Sequence, residues 1–338
     1  MNANDIKNIK AVSMGGGGGT VQVLQGLGAY LEQLTGVVAV TDTGRSTGKV
    51  RNLANIPAPG DIRNAIATLA TSNPFMAQLM QHRLSVPNNE ALDGVAFGNL
   101  MLAAMTQMTG NFAQAVALLQ NMAGVKASIL PVTTHSTHIC AELVDGSSVE
   151  EEFNVRALNK ADIRRVFIKH KDADVYPPVL QALREADLIT IGPGSLFTSI
   201  IACLAFDQVT QAIRDSKATV IYICNNTTQP GQTDGYRLSD HVKQIVNYLG
   251  AGRLNYVLLN SRAPSPHAAR LYAADGVHIL LPNEREIEWI ELLGVKAVVR
   301  DLAEISDMKR DLWQKQDSIR HDPDAVAKVL IEIMQQSR

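Results

Sequence analysis

Cysteine and aromatic residues are scarce in this chain of 338 residues. The three cysteines, Cys140, Cys203 and Cys224, are odd in number and far apart, so no disulfide framework is predicted and a reducing, cytoplasmic setting is expected. Aromatic residues make up 5% of the chain, and its formal net charge is -2. A nucleic-acid-binding protein usually presents a basic face or aromatic stacking platforms, so this composition argues against a nucleic-acid partner.

The sequence also lacks an unbroken apolar segment long enough to span a membrane. Residues 188–206 form an uncharged stretch of 19 residues, which is close to that length. Gly192, Pro193 and Gly194 interrupt the stretch, so a buried strand, a glycine turn and an apolar helix are the better interpretation. The polar first ten residues contain no signal-peptide core. We therefore predict a protein without a membrane span.

The apolar pattern predicts an α/β fold. Hydrophobic residues make up 46% of the chain and charged residues 19%, which is typical of a globular protein. Short apolar runs that alternate with helical patterns predict a mostly parallel sheet with helices on both faces, plus a small β-hairpin at about 137–155. The predicted strands are 9–14, 37–40, 125–132, 138–144, 149–155, 188–191, 219–224, 256–259 and 277–281. The predicted helices are 21–31, 61–70, 99–107, 112–122, 196–205 and 324–334.

No linker and no internal repeat divides the chain. We therefore predict one large domain covering residues 1–338. Residues 300–322 are rich in charge and are predicted to form a solvated arm or lid before the last helix.

Glycine is concentrated directly after the first predicted strand. This turn consists of Gly15, Gly16, Gly17, Gly18 and Gly19, followed by Thr20. Glycines let backbone N–H groups approach an anion closely, and the helix N-terminus behind them favours negative charge. The turn is neither a strict G-x-G-x-x-G motif nor a P-loop, and a merely flexible turn is the alternative. The close approach of backbone N–H groups and the helix N-terminus nevertheless favour contact with a phosphate or a nucleotide.

A polar loop follows the next predicted strand, and charge clusters around it. Positions 1–150 contain 17 charged residues, of which six fall within 42–63. Arg45, Lys49 and Arg51 could meet phosphates, and Asp42 could accept a hydrogen bond from a ribose hydroxyl or hold a metal ion. A solvated loop is the alternative, but solvated charge is usually spread more evenly.

Two junctions between a loop and a helix add polar side chains. Asp61 follows Pro59 and Gly60 and is interpreted, taken alone, as the N-cap of a helix. Arg63 and Asn64 lie in the same first turn and could still line a site. Asn99 stands at a similar junction, where it could simply cap the helix.

A second glycine turn follows a later predicted strand. Gly192, Pro193, Gly194 and Ser195 form another candidate anion-binding turn, to which Thr198 adds a hydroxyl. No G-x-S-x-G motif surrounds Ser195, so it is not predicted to be a hydrolase nucleophile. Two such turns on one sheet indicate a ligand with a diphosphate, or two phosphorylated substrates.

Amide and hydroxyl side chains follow another predicted strand. Asn226, Thr228 and Gln229 belong to this loop and suit the recognition of a base or a sugar, although turn formation explains half of its residues.

A possible metal site is suggested only weakly by the spacing of three residues. His135, His138 and Cys140 have loose metal-ligand spacing, but no second ligand cluster accompanies them in the sequence. The motif therefore does not favour metal binding.

Six motifs occur in a fixed order along the chain. They are GGGGGT at 15–20, TDTGRSTGKVR at 41–51, PGDIRN at 59–64, GNL at 98–100, GPGSLFTS at 192–199 and TQPG at 228–231. Together they resemble the YvcK-like gluconeogenesis factors, which are similar in turn to the CofD-like 2-phospho-L-lactate transferases. The similarity runs from about residue 9 to the end of the chain.

This resemblance implies a Rossmann-like fold, a cytoplasmic protein and a bound nucleotide sugar such as UDP-N-acetylglucosamine. It also implies roles in growth on gluconeogenic carbon sources, cell shape and cell-wall precursor supply. Tyr272 and Arg320 match family positions that touch the ligand. The resulting ligand-binding set comprises Gly15, Gly16, Gly17, Gly18, Gly19, Thr20, Arg45, Ser46, Thr47, Lys49, Asp61, Asn64, Asn99, Gly192, Pro193, Gly194, Ser195, Thr198, Asn226, Thr228, Gln229, Tyr272 and Arg320.

The chain departs from the family pattern at two places. Thr43 and Arg45 stand where a second acidic residue and a glycine pair are usual, and Gly94, Val95 and Ala96 stand where Gly-His-Ser is frequent. This loop therefore lacks a full carboxylate pair to hold Mg²⁺, so Mg²⁺ is expected only as an optional cofactor.

Three classes of function remain open. We predict a regulatory protein that binds a nucleotide sugar without turnover. The first alternative is a CofD-like 2-phospho-L-lactate transferase, in which Asp42 would be catalytic. The second is an NAD-dependent oxidoreductase, suggested by the first βαβ unit and by Asp42 about 25 residues after Gly17, although the third glycine of the fingerprint is missing. The sequence leaves the oligomeric state open, a homodimer included.

Overall fold

A computed structural model describes residues 3–305 and 319–337. The strands within these ranges are β1 (Lys10–Gly15), β2 (Gln33–Val38), β3 (Ser128–Pro131), β4 (Ile139–Leu143), β5 (Ser148–Glu150), β6 (Ile163–Ile168), β7 (Leu188–Ile191), β8 (Thr219–Ile223), β9 (Tyr256–Asn260) and β10 (Lys296–Arg300). The α-helices are α1 (Ala3–Lys7), α2 (Gly19–Leu27), α3 (Arg45–Ala54), α4 (Gly60–Leu69), α5 (Pro74–Gln81), α6 (Phe97–Thr109), α7 (Phe112–Ala123), α8 (Glu152–Val155), α9 (Pro177–Glu185), α10 (Ile201–Leu204), α11 (Asp207–Asp215), α12 (Leu238–Leu249), α13 (Pro266–Ala274), α14 (Glu284–Leu292) and α15 (Pro323–Gln336).

Seven strands form one parallel sheet in the order β10-β9-β8-β7-β1-β2-β3. The chain builds the sheet outward from β1 through β2 and β3, and then returns to the other side of β1 with β7. This is the strand order of a doubly wound Rossmann sheet. The predicted α/β, Rossmann-like fold with a mostly parallel sheet is therefore confirmed.

Successive residues of the central strands enter two different apolar layers. On β1, Val12 and Met14 belong to the larger buried cluster, whereas Ala11 packs with Leu27 of α2 and Leu330 of α15 in the smaller one. Because side chains alternate across a strand, these clusters lie on opposite faces of the sheet. Burial on both faces explains why the strands appear in the sequence as continuous apolar runs.

The predicted hairpin is part of a separate antiparallel sheet of three strands, in the order β5-β4-β6. The expectation of a strand at 149–155 is wrong beyond Glu150. Glu151 has a φ of 72°, which breaks the extended backbone, and α8 follows immediately. The third strand, β6, was not predicted, because its buried and exposed residues do not alternate strictly.

The expected strand at 277–281 is also wrong. These residues form only an isolated bridge, from Ile279 to Thr227. The sheet position beyond β9 is taken by β10 instead. The strand β10 begins with Lys296 and ends with Arg300 and is only half-buried, so its edge position weakened the apolar signal.

The apolar stretch at 188–206 folds as the sequence predicted, as β7, a glycine turn and a helical segment. That segment begins with a π-helical turn, Leu196–Ile200, which runs into α10. No single helix in the described ranges is long and apolar enough to cross a membrane. A bent pair, Leu196–Leu204 and Asp207–Asp215 at 68°, meets the requirements of length and composition only when both parts are combined.

The predicted arm at 300–322 is described only at its two ends, because residues 306–318 lie outside the described ranges. The two ends pair with each other. Glu304 N donates to Arg320 O at 2.9 Å, Asp322 N donates to Leu302 O at 2.7 Å, and Ala303 forms a bridge with His321. We call residues 319–322 the strap.

Candidate functional site

The two glycine turns meet where the strand order of the sheet reverses. β1 ends at the first turn and β7 at the second, and these strands are direct neighbours, with Ala11 opposite Leu188. A Cβ added to Gly19 would collide with the carbonyl oxygen of Pro193. The turns therefore touch through their backbones. In open α/β sheets ligands bind in the crevice at this switch point, beyond the carboxyl ends of the strands.

The first turn presents a helix N-terminus to the crevice. Gly18 is the N-cap of α2, and the first turn of that helix contains no acidic residue. Thr20 N donates to Gly16 O at 3.3 Å, and the other N–H groups at this helix start favour an anion. Gly15, Gly16, Gly17 and Thr20 lie deeper. Thr20 is fully buried, and a Cβ at Gly17 would overlap the backbone of Asp61.

A first compartment of about 370 Å³ lies over these turns. We call it the glycine compartment. Its walls include Gly18 and Gly19 from the first turn, Pro193, Gly194 and Ser195 from the second turn, Asn225, Asn226 and Gln229 from the loop after β8, and Ile319, Arg320 and His321 from the strap.

Hydrogen bonds inside the protein hold the second turn in place. Asn225 Nδ2 donates to Gly194 O at 2.6 Å. The hydroxyl of Ser195 lies 2.9 Å from Gln229 Oε1 and accepts from Thr198 Oγ1 at 2.8 Å. Ser195 and Gln229 line the compartment, whereas the Thr198 hydroxyl supports the turn from behind.

The loop after β8 separates into residues that face the compartment and residues that face the protein. Asn226 Nδ2 donates to Ile319 O of the strap at 3.0 Å, while its buried Oδ1 has no partner in the described part of the chain. Thr228 turns away, because its Oγ1 accepts from His278 N at 2.9 Å. Tyr272 is buried in α13 and does not belong to the compartment wall.

A second compartment of about 400 Å³ adjoins the first. We call it the charged compartment. It is lined by Gly18, Asp42, Gly44, Ser46, Thr47, Gly60, Asp61, Arg63, Asn64, Gln81, Arg83, Asn99, Arg156 and Arg320. Four arginines and two aspartates among these residues leave the walls net positive, which favours an anionic ligand.

Arg63 carries the most perturbed cation of the charged compartment. Burial, followed by the nearby charge of Arg83, lowers the pKa of Arg63 to about 10, and Asp61 opposes the shift. The guanidinium still carries its charge at neutral pH, and its Nη1 donates to Gln81 Oε1. An anion in this compartment would offset the cost of burying that charge.

Asp61 is not the N-cap that the sequence suggested. The helix α4 begins one residue earlier, with Pro59 as its N-cap and no capping side chain, so the Asp61 carboxylate is available to the charged compartment. Asn99 is not a cap either, since α6 begins at Phe97. Asn99 is fully buried, donates to Ser46 Oγ at 3.2 Å, and has no partner for its Oδ1 among the described residues.

Neither Lys49 nor Arg51, two of the predicted phosphate contacts, lines the charged compartment. The Lys49 ammonium turns toward the loop before α6, where it donates to Glu90 O and to Asp93 O. The prediction for the Arg45 guanidinium lies outside the described side chains. Asp42 does line the compartment, and its Oδ1 accepts from Gly44 N at 2.7 Å.

The two compartments share three residues, Gly18, Asn64 and Arg320. Asn64 is fixed between them, because its Nδ2 donates to Gly17 O at 3.1 Å and its Oδ1 accepts from Gln81 Nε2 at 2.9 Å. The result is one elongated crevice with a backbone amide donor, a side-chain amide and a guanidinium at its centre.

Arg83, Arg156 and His321 line the crevice but were absent from the predicted set. Arg83 and Arg156 stand in no motif, so no local signal could have found them. His321 follows Arg320 directly. Burial lowers the pKa of His321 to about 4, and a hydrogen bond to the Cys224 backbone opposes the shift.

A larger groove of about 950 Å³ lies between β6 and the helices α11 and α12. Its walls contain neither glycine turn and none of the predicted residues. We assign the candidate site to the switch point because position in the fold is a better guide than size in α/β proteins.

The fold and the crevice define a Rossmann-like α/β protein with a two-part ligand crevice at its switch point. A family model described as 2-phospho-L-lactate transferase CofD matches residues 11–303. The gluconeogenesis factor of Bacillus subtilis (strain 168) is 36% identical over 327 residues, which cover 97% of this chain and 98% of that protein. The chain belongs to the CofD family and, with such relatives, to the gluconeogenesis factors, so the resemblance seen in the motifs is confirmed.

Other relatives agree with this assignment. The gluconeogenesis factor of Listeria innocua is 34% identical over 325 residues, which cover 96% of this chain and 95% of that protein. A crystal structure of a UPF0052-family protein from Bacillus halodurans matches with a TM-score of 0.87 at 33% identity, covering 96% of this chain and 99% of that one.

Proposed function

We propose that this gluconeogenesis factor binds a nucleotide sugar of the UDP-N-acetylglucosamine type and acts as a cytoplasmic regulatory protein. The observation that supports this most is the elongated crevice, whose two compartments join at Gly18, Asn64 and Arg320. A diphosphate in the middle of such a ligand would accept from the α2 N-terminus and from the guanidinium of Arg320.

The glycine compartment carries amide side chains that suit one end of a nucleotide sugar. Amide side chains of Asn225, Asn226 and Gln229 offer donors and acceptors to a base or to sugar hydroxyls. Each compartment lies within the size range of small-molecule sites. Links to gluconeogenic growth, cell shape and cell-wall precursor supply rest on the family resemblance and belong to this proposal.

The regulatory proposal rests on the family resemblance and on the loop at 41–51, where Thr43 and Arg45 stand in place of a second acidic residue and a glycine pair. Arg63, Arg83 and Arg156 have positions set by contacts inside the protein, to Gln81 Oε1, Gly94 O and Glu152 respectively. Cations held in this way would bind a diphosphate through charge-assisted hydrogen bonds.

Thermal unfolding with added ligands tests the proposal. We expect UDP-N-acetylglucosamine to raise the melting temperature, since a ligand at 100 times its Kd stabilises the folded state by about 2.7 kcal/mol. Arg320→Gln should lose most of this increase. Arg184→Gln, on the surface of α9 away from the crevice, is the matched control and should keep it. Stabilisation by NAD with no effect of UDP-sugars would favour the oxidoreductase alternative.

A CofD-like transferase is the second candidate, and one observation favours it. Asp61 shares the charged compartment with Asp42, so the structure supplies a second carboxylate that the loop at 41–51 lacks. With Asn99 Oδ1, these are hard oxygen ligands of the kind that Mg²⁺ takes beside phosphate oxygens. Bound there, Mg²⁺ would neutralise charge on the diphosphate. The residues present therefore fit the ion.

A product assay with a deazaflavin acceptor, activated phospholactate and Mg²⁺ separates the two candidates. We expect turnover to be absent or very slow, because Thr43 and Arg45 stand where the family pattern has a second acidic residue and a glycine pair. Sustained multiple turnovers that vanish in both Asp42→Asn and Asp61→Asn would reject the regulatory reading and establish an enzyme.

A further inference from the structure

The small antiparallel sheet brings together three potential metal ligands away from the crevice. His138 directly precedes β4, and Cys140 lies two residues later, so their side chains share one face of the strand. Glu150 of β5 pairs with Cys140 across the sheet. The sequence pointed to His135 as the third member, but Glu150 takes that place, and only the strand pairing shows it.

The donor atoms are close enough to surround one small cation. The His138 ring nitrogen, Cys140 Sγ and a Glu150 carboxylate oxygen all lie within 4.8 Å of one another. His138 Nε2 and Glu150 Oε2 are 3.6 Å apart. Nitrogen and oxygen ligands at about 2.0–2.1 Å from a tetrahedral zinc ion stand about 3.4 Å apart. A small side-chain adjustment would complete the geometry.

The three potential ligand atoms are not tied up by strong hydrogen bonds or a disulfide. His138 Nε2 is buried and has no hydrogen-bond partner in the described ranges, and its distance to Glu150 is too long for a hydrogen bond. The Cys140 thiol is buried and free of any disulfide. Lys169 Nζ contacts Glu150 Oε1, which leaves Oε2 facing the histidine.

We propose that His138 Nε2, Cys140 Sγ and Glu150 Oε2 bind a zinc ion, with the fourth coordination position open. A thiolate, an imidazole and a carboxylate form a donor set that suits Zn²⁺, whereas Mg²⁺ and Ca²⁺ require oxygen ligands throughout. This site stands independently of the nucleotide-sugar proposal.

The ion would connect the small sheet with the charged compartment. The chain passes from Glu150 through Glu151 to α8 and then to Arg156, which lines that compartment. Arg51 is close to residues of both sites: the charges of Glu151 and Asp42 act on it, and its Nε donates to Ser136 Oγ at 3.4 Å. Zinc held between β4 and β5 would fix the strand end from which Arg156 is positioned.

Cobalt substitution in the chelator-treated full-length protein tests the site. We expect one equivalent of Co²⁺ to bind and to produce the near-ultraviolet charge-transfer band of a cobalt–thiolate bond. Cys140→Ser should remove the band while the metal-free protein unfolds at the wild-type temperature. His138→Gln and Glu150→Gln should each weaken Co²⁺ binding at least about tenfold, since even outer-shell changes cost that much.

Cys203→Ser is the matched control, because Cys203 is a buried free thiol outside this cluster. It should keep both the band and the Co²⁺ affinity. Zn²⁺ should displace Co²⁺ and raise the melting temperature of the wild type but not of Cys140→Ser. Absence of stoichiometric Co²⁺ binding, or a thiolate band that persists in Cys140→Ser, would overturn the proposal.

Discussion

The glycines of the first turn serve different purposes at neighbouring positions. A Cβ at Gly17 would overlap the Asp61 backbone, and one at Gly19 would overlap Pro193, so both positions are required for packing. A side chain at Gly18 would meet no atom within 4 Å, and the φ of −93° at this position is ordinary for any residue. Gly18 is therefore the position at which the ligand crevice can be blocked without disturbing the fold.

We predict that Gly18→Val folds normally but loses nucleotide-sugar binding, because its branched side chain would enter both compartments at their junction. Gly18→Ala should show an intermediate loss. Isothermal titration with UDP-N-acetylglucosamine measures the affinity, and thermal unfolding without ligand measures the fold. Wild-type affinity in a folded Gly18→Val protein would place the ligand elsewhere. Gly17→Val would be uninformative, since it would disturb the contact with α4.

At the scale of elements, α2 and α15 meet at a close backbone contact directly after the strap. A Cβ at Gly26 of α2 would overlap the carbonyl of Pro323, the first residue of α15. Asp322, the N-cap of that helix, ends the strap that carries Arg320 and His321. The strap is held from the other side by Asn226. The spacing between α2 and α15 therefore sets the height of the strap above the glycine turns.

We expect Gly26→Ala to destabilise the protein by about 1–3 kcal/mol through overpacking, and also to weaken nucleotide-sugar binding. Gly26 does not line the crevice, so the lost affinity would report the displaced strap. Gly28→Ala is the control on the same segment, because its nearest atoms belong to its own helix and to Leu34 rather than to α15. Chemical denaturation and ligand titration measure the two effects. Unchanged affinity in a destabilised Gly26→Ala protein would contradict the role assigned to the strap.

At the scale of the whole molecule, two buried histidines link stability to pH. Burial lowers the pKa of His241 and of His321 to about 4, from an ordinary value of 6.5. A group whose pKa is depressed on folding stabilises the folded state fully above its unfolded pKa, and this contribution disappears as the pH falls toward the folded pKa. The window for both histidines therefore runs from about pH 6.5 down to about pH 4.

We predict that the free energy of unfolding falls between pH 6.5 and pH 4 by at most about 3 kcal/mol for each histidine. Urea denaturation at several pH values measures this fall. His241→Gln should show a smaller fall than the wild type, because it removes one buried protonation site without touching the crevice. A pH dependence that is identical in His241→Gln and in the wild type would contradict the assignment.

Local patterns in the sequence were sufficient for most of the central fold. Strands β1, β7, β8 and β9 are buried on both faces, so their continuous apolar runs were recognisable without knowledge of the pairing. The half-buried edge strand β10 and the bridge at Ile279 were misjudged, because the difference between them depends on which segment reaches the edge of the sheet.

The sequence by itself determined the two glycine turns, the order of the motifs and the family, because turn conformation and strand burial depend on residues that are close in the chain. Only the tertiary structure decided which side chains meet. It placed the second turn beside the first, put Asp61 and Asp42 on the walls of one compartment, turned Lys49 away, and brought Glu150 to His138 and Cys140. These contacts join residues that are distant in the chain or in different strands. Their side chains come together through sheet order and packing, which no local pattern encodes.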